Sequence, residues 1–377
     1  MKYYCLSLGL RNVDLIKHIG LTPYFLASEF NYDSTIICFN NDKYTNLDNM
    51  KGLKLDFLQK KYSYPILNFL VAIYYLIKNA KNIDVLNCFH LSRDTLSYFL
   101  IYKIFNRNGI THLTFDMTYE TVLTLVNNDK TIIQLLKSKF VIFLFKYLID
   151  IANIEREDSY NLLINFNDIY KEKLMYMPIF IEPDENIDVP KKNQIISVGD
   201  IGSYFKASDV VLESFANVIN TLNDCNWTLK MVGPISEDFK DYIESFFIKH
   251  PNLKNSISFT GYVENKDELY KIYSESKIFC LPSRSESFGI VFVEALFYGN
   301  YLVTTKVGIT NYLNSISNYG KFVEIDDIED LTNTLIDVIE NYEGYSRNNN
   351  IDLKKIIQNE FSHKKFIKEL DFRLKSL

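Results

Sequence analysis

This chain of 377 residues contains one tryptophan, five cysteines, 13 glycines and eight prolines. So little glycine and proline leaves no low-complexity or collagenous segment. The cysteines, Cys5, Cys38, Cys88, Cys225 and Cys280, stand far apart with no Cys-x-x-Cys pair, which excludes a disulfide-stapled module and a zinc finger. They read as reduced core thiols. Positive charge is not in excess: 41 Lys and Arg against 47 Asp and Glu give a net charge of -6. No overall field holds a nucleic-acid backbone, so nucleic acid is not an expected partner. Long hydrophobic runs are missing too. The two most apolar stretches, 64–77 and 140–154, contain Asn68, Lys146 and Asp150 and fall short of the roughly 20 residues of a spanning helix, although either can rest on a membrane. The apolar run at 3–10 meets Arg11 too soon for a secretory signal and reads as a strand, so a cytoplasmic location is expected.

What is present is a core-forming composition, 47% hydrophobic and 23% charged, in a chain long enough for two domains. Short β-branched or aromatic runs alternate with longer helical patterns, the signature of an α/β fold with parallel sheets. Strands are expected near 2–8, 34–40, 53–58, 83–90, 111–116, 149–155 and 174–179, with helices at 21–30, 64–79, 93–106, 130–147 and 157–165. Around 177–192 the pattern dissolves into Pro, Glu, Asp and Lys, a linker composition. The second half restarts with strands at 194–198, 227–233, 257–261, 277–282, 301–305 and 320–325. Its helices are expected at 206–220, 236–249, 266–274, 288–299, 327–342 and 351–376, the last one broken. Two doubly wound domains facing a cleft are the expected architecture, with ligand at the carboxyl ends of the strands.

The most informative segment follows the buried-looking run Ile278-Phe279-Cys280. It contains Pro282, Ser283, Arg284, Glu286, Phe288, Gly289 and Glu294, with seven residues between the two glutamates. A helix starting near Phe288 would turn the amides of Ser287, Phe288 and Gly289 toward a phosphate or a sugar oxygen. Glu294 then lies among Val291, Phe292, Val293, Ala295 and Leu296, where an ionised carboxylate needs a partner. Two ribose hydroxyls would serve, and so would a buried lysine.

This pattern resembles the retaining glycosyltransferases of family GT4, which have the two-domain GT-B fold and a Glu-x7-Glu motif in the nucleotide-sugar domain. The resemblance implies that Glu286 faces the transferred sugar and Glu294 holds the ribose, with Ile290 among the donor contacts. It continues through Ser197-Val198-Gly199, Lys206, Met231-Val232-Gly233-Pro234 and Phe259-Thr260-Gly261-Tyr262. Lys206 would contact the donor diphosphate, with Gly199, Gly233 and Arg284 at the same site. Asp200 stands where the family commonly has Arg, which leaves the diphosphate to Lys206, Arg284 and the helix end.

The N-terminal half is more divergent. The stretch Asn12 to Tyr24 resembles the first loop of a GT4 subset, with Lys17-His18 where that subset has Lys-Asp and Gly20 opening the first helix toward the cleft. The runs ending in Asp116 and Glu155 resemble two of its strands. Independently of any family, His90, Asp116 and Glu155 all fall at carboxyl ends of expected strands, where doubly wound domains place ligands. His18, His90 and Arg93 join them as candidates for the acceptor side. Helix capping by His90 with Ser92, a turn at Asp116 and a Glu155–Arg156 pair are the structural alternatives.

By resemblance, the chain is a metal-independent, retaining glycosyltransferase that moves a hexose from a nucleoside diphosphate sugar, with UDP favoured, to a glycan or lipid-linked oligosaccharide in bacterial surface polysaccharide synthesis. The implied catalytic residues are Glu286, Lys206, Asp116 and His18, with no cofactor. The domains implied are 1–182 for the acceptor, 183–360 for the nucleotide sugar, and a helix at 361–377 crossing back to the first domain. Peripheral membrane contact would use Lys51, Lys54, Lys60 and Lys61 with the apolar stretch after Tyr64. A nucleotide-sugar epimerase of the same fold and a catalytically silent assembly partner are the alternatives.

Overall fold

The β-branched and aromatic runs of the first half form β1 (Lys2–Leu6), β2 (Asp33–Cys38), β3 (Leu53–Phe57), β4 (Val85–Phe89), β5 (Ile110–Thr114), β6 (Ile151–Ile154) and β7 (Leu174–Tyr176). In the computed structural model, which describes all residues except 60, 116, 118, 127–131, 182–186, 188, 223–225 and 349–351, these strands order as β3-β2-β1-β4-β5-β6-β7. Every pairing is parallel. Parallel neighbours need crossovers, and helices supply them: α1 (Asn12–Leu15), α2 (His18–Phe30), α3 (Pro65–Asn79), α4 (Arg93–Phe105), α5 (Tyr119–Val126), α6 (Ile132–Tyr147), α7 (Glu157–Phe166) and α8 (Asp168–Lys173). One sheet face carries a core that takes in α3, α4 and α6 through Leu76, Phe99 and Phe145. The other face packs on α2.

The second half repeats the plan. Strands β8 (Lys192–Val198), β9 (Thr228–Val232), β10 (Ile257–Phe259), β11 (Ser276–Leu281), β12 (Tyr301–Thr304) and β13 (Gly320–Phe322) form a parallel sheet ordered β10-β9-β8-β11-β12-β13. Its helices are α9 (Ser208–Thr221), α10 (Glu237–Lys249), α11 (Lys266–Glu275), α12 (Ile290–Phe297), α13 (Thr310–Ser317) and α14 (Ile328–Asn348), followed by α15 (Leu353–Phe361) and α16 (His363–Ser376).

The chain divides into two units, Met1–Phe180 with Phe361–Leu377, and Ile181–Glu360. The expected boundary at 182/183 lies outside the described residues. Helix α16 belongs to the first unit. Phe366, Ile367, Leu370 and Leu374 are buried in the α2-side core, each side chain contributing about 1.5–3 kcal/mol. His363 stacks on Phe25 at 3.5 Å between ring centroids, and its Nε2 lies 2.5 Å from Glu29 Oε1.

The differences from expectation have local causes. Helix 206–220 starts at Ser208 because residues 204–206 form a 3-10 turn and Ala207 adopts a φ of 51°. The helix expected from 288 begins at Ile290, since Gly289 at φ 88° is its N-cap. The last helix breaks at Ser362, whose hydroxyl accepts from the Lys364 amide and starts α16 anew. Helices α1, α5, α8 and α13 were not anticipated, being only four to eight residues long. Cys5, Cys38, Cys88 and Cys280 are buried free thiols, and Cys225 lies outside the described residues.

Candidate active site

In the second unit the carboxyl ends of β8, β9 and β11 gather the expected donor residues. Gly199 follows β8, and its amide donates to Val232 O of β9. Gly233 follows β9, and a Cβ there would lie 1.9 Å from Gly199 O. Two backbones this close leave no room for a side chain. The stem of Lys206 runs past Gly199, 3.3 Å from where a Cβ would be. Its ammonium ends 2.6 Å from Glu286 Oε1, which also accepts from Ser283 Oγ at 2.8 Å. The Glu286 side chain is only 9% exposed and that of Lys206 22%, so each charge depends on the other.

Arg284 is placed differently from a free diphosphate ligand. It pairs with Asp326 at 2.5 Å and Asp209 at 3.1 Å, and donates to Tyr204 O at 2.6 Å. Its own amide donates to Phe205 O. Two carboxylates balance its charge, so in this arrangement it ties the 204–206 turn, and with it Lys206, to the motif loop. Those hydrogen bonds hold its pKa above the ordinary guanidinium value, against the opposing effect of burial.

Phe288 is 1% exposed and anchors the loop in the core, while Ser287 is exposed. The Phe288 carbonyl accepts from Ile309 N. Gly308, at φ 54°, passes so near that a Cβ would meet Phe288 O at 2.3 Å and Glu286 Cβ at 3.0 Å. Beyond Gly289, the first-turn amides of Ile290 and Val291 have no acceptor within α12. Glu294, 9% exposed, accepts a hydrogen bond from Tyr273 OH at 3.1 Å, so a phenol faces this carboxylate. Burial, then the Glu294 charge, pushes the Tyr273 phenol well up and keeps it a donor.

In the first unit, three expected residues converge at strand ends. His18 opens α2, and its Nε2 lies 3.5 Å from Glu155 Oε1, just past β6. The ring also stands edge-on to Phe89 at 5.3 Å. His90 follows Phe89 in the left-handed region at φ 58°. Burial, then the charges of His90 and Lys17, lowers His18 to about 4 against the pull of Asp14, so the imidazole is neutral at pH 7. Its Nδ1 has no hydrogen-bond partner among the described residues. Lys17 is the N-cap of α2 and reaches Asp14 at 3.4 Å. Contrary to expectation, Gly20 does not open the helix. It sits in the first turn of α2, where a Cβ would strike Leu15 O at 2.0 Å. Arg93 begins α4 on the surface, and Asp116 lies outside the described residues.

Behind this group a polar chain crosses the sheet. Asn153 Oδ1 can only accept, so His112 Nε2 donates to it at 2.9 Å and His112 Nδ1 accepts from Tyr3 OH at 2.8 Å. Sequence reasoning missed Tyr273, Asp209, Asp326 and Gly308. Gly308 alone carried a signal, a glycine four residues past the end of β12. Among the described residues, no cluster of three or more metal-ligating side chains occurs and no helix is long and apolar enough to cross a membrane.

Residues 180–355 match the family described as glycosyl transferases group 1. A 41.2 kDa protein in the cps region of Klebsiella pneumoniae is 28% identical over 173 residues, which is 42% of this chain and 45% of that protein. An uncharacterized glycosyltransferase of Haemophilus influenzae is 25% identical over 194 residues, 51% of this chain and 52% of the relative. The chain thus matches about half the length of these relatives. Among solved structures, Anabaena HepE in complex with UDP and glucose superposes over 100% of both chains with a TM-score of 0.71 at 14% identity. The chain has the two-domain α/β GT-B fold, and the stretch bearing Lys206, Glu286 and Glu294 matches the glycosyl transferases group 1 family.

Proposed function

We propose that the protein is a retaining, metal-independent glycosyltransferase that moves a hexose from a nucleoside diphosphate sugar, UDP favoured, to a glycan or lipid-linked acceptor in bacterial surface polysaccharide synthesis. The observation that carries this reading is the joining of Lys206, Glu286 and Ser283 at one sheet rim, within the segment that matches the family. The UDP in the HepE complex supports the choice of base, and the cps-region relative supports the surface glycan.

In this reading the acceptor hydroxyl attacks the anomeric carbon on the face of the leaving phosphate. The bond from that carbon to the phosphate oxygen breaks as the bond to the acceptor oxygen forms, and the acceptor proton passes to the departing phosphate. Lys206 and the first-turn amides of α12 stabilise the charge on the diphosphate. Glu286 orients the sugar, Glu294 takes the ribose hydroxyls, and neutral His18 helps to steer the acceptor in the first unit.

Calorimetry with UDP, GDP, ADP and their sugars tests the donor site. Saturable binding of one nucleotide, weakened in Glu294→Ala, is expected, and absence of binding by a folded sample overturns the reading. Asp200 favours a second reading, a silent assembly partner, because an exposed carboxylate directly after Gly199 opposes a diphosphate. Donor binding that is restored only in Asp200→Arg would establish it.

A further inference from the structure

The first unit shows water an ordered apolar surface. On α3, Ile66, Leu70 and Tyr74 recur every four residues and are exposed, Ile66 at 62%. On α4, Leu100 and Ile104 repeat the spacing, and on α6 Phe140, Phe143 and Tyr147 form a third row. The three helices lie in one layer, because their inner residues enter the same core on the same sheet face. Their outer rows therefore face the same way.

The charges beside these rows are mostly of one sign. Helix α6 carries Lys137, Lys139 and Lys146 with no acidic residue, and α3 carries Lys78 with none. Lys78 lies over the Tyr74 ring at 4.5 Å and Lys146 near the Tyr147 ring at 5.3 Å. In α4, Asp94 stands at the end remote from Ile104, and Lys103 is paired with Asp150. Two of the four lysines expected from the sequence to meet a membrane have polar partners. Lys54 binds Asp33, Lys61 binds Asn41, and Lys60 lies outside the described residues.

Apolar rows edged by tyrosine rings and lysine stems, with Asp94 at one margin and Asp150 held by Lys103, match the layering of an anionic bilayer surface, where rings and stems sit at headgroup level and ammonium groups meet phosphates. We propose that the outward face of α3, α4 and α6 docks on an anionic lipid bilayer. It deepens the proposed reaction by placing the first unit where a lipid-linked acceptor would reside, while docking itself requires no transfer activity.

Flotation of the full chain with vesicles tests this. Binding to vesicles of phosphatidylglycerol and phosphatidylcholine in about equal parts should exceed binding to phosphatidylcholine alone by about tenfold, and should fall in about 0.5 M salt. Lys137→Glu/Lys139→Glu/Lys146→Glu and, separately, Leu70→Ser/Phe143→Ser should each lower partitioning roughly tenfold or more, with far-UV circular dichroism and UDP binding unchanged. Should a variant misfold, the lipid and salt comparison on the unaltered chain decides. Equal or absent partitioning overturns the proposal, as does a dimer in light scattering that Leu70→Ser/Phe143→Ser dissociates. Vesicle binding by a chain that binds no nucleotide upholds the surface while the donor reading fails.

Discussion

Replacing Lys206 by Met tests whether its pair with Glu286 is a working unit of the proposed donor site. The two side chains are 22% and 9% exposed and meet at 2.6 Å. Breaking a fully buried pair costs about 3–5 kcal/mol. Because the Lys206 side still touches water, about 2 kcal/mol is expected here, or about 4–8 °C in the melting of a domain this size. Trp227, the single tryptophan, is buried in the second unit against Tyr342, so its fluorescence reports that unit's unfolding. Glu286→Gln should cost about 1 kcal/mol, and the double variant less than the sum of the two by about 1 kcal/mol or more. Ligand binding separates the roles further. Lys206→Met should weaken UDP binding, whereas Glu286→Gln should tighten it severalfold while turnover falls, because the full lysine charge is then left to the diphosphate. Strictly additive stabilities, together with a parallel loss of UDP affinity in both variants, would refute the reasoning.

Other expectations follow from the same geometry. Burial lowers His112 to about 4, opposed by its bond to Asn153. The unfolded chain therefore takes up protons first, and the stability present above pH 6.5 should be lost between about pH 6.5 and 4, by about 2.5 kcal/mol for this residue at pH 4.5. The penalty of His112→Gln should shrink by that amount between pH 7 and 4.5 in urea unfolding followed by circular dichroism, and a constant penalty refutes the shift. Gly233→Ala drives a Cβ into Gly199 O, and should cost about 3 kcal/mol or more with loss of UDP binding. Gly344→Ala, in α14 with nothing within 4 Å, should instead stabilise by about 0.5–1 kcal/mol; both changes are read from Trp227 melting. Tyr273→Phe removes one hydrogen-bond donor to Glu294 and should weaken UDP binding about tenfold, a smaller loss than that of Glu294→Ala in the same titration.

Much of the fold was legible because parallel sheets write themselves as short apolar runs between helical periods. The strands from β1 to β13 fall within a few residues of where alternation put them. Short helices such as α8 and α13 escaped, since six or eight residues carry little more than one period. The site was legible where backbone and chemistry share a segment: Gly199, Gly233, Lys206 and Glu286, which the family resemblance groups, stand together at one sheet rim. The partners of Arg284 were not legible. Asp209 and Asp326 lie 75 and 42 residues from it in sequence, and only the sheet order brings them to one rim. The same holds for Tyr273 and Glu294, which are joined across 21 residues. In the first unit, strand-end polarity singled out His90 and Glu155, yet the burial that neutralises His18 is a property of packing and leaves no local trace.

Helix α16 covers a face made by residues more than 300 positions earlier, with the whole of the second unit between them. On a ribosome the order of synthesis becomes an order of exposure. The first sheet and α2 emerge early and wait, their apolar floor under Phe366, Ile367, Leu370 and Leu374 still wet, while the second unit is translated and folds. Closure of the first unit by α16 then comes after the second unit has been made, and that helix acts as a seal applied late. A nascent chain stalled within the second unit would present that open floor to chaperones or to other nascent chains, so aggregation during synthesis should be concentrated in this interval.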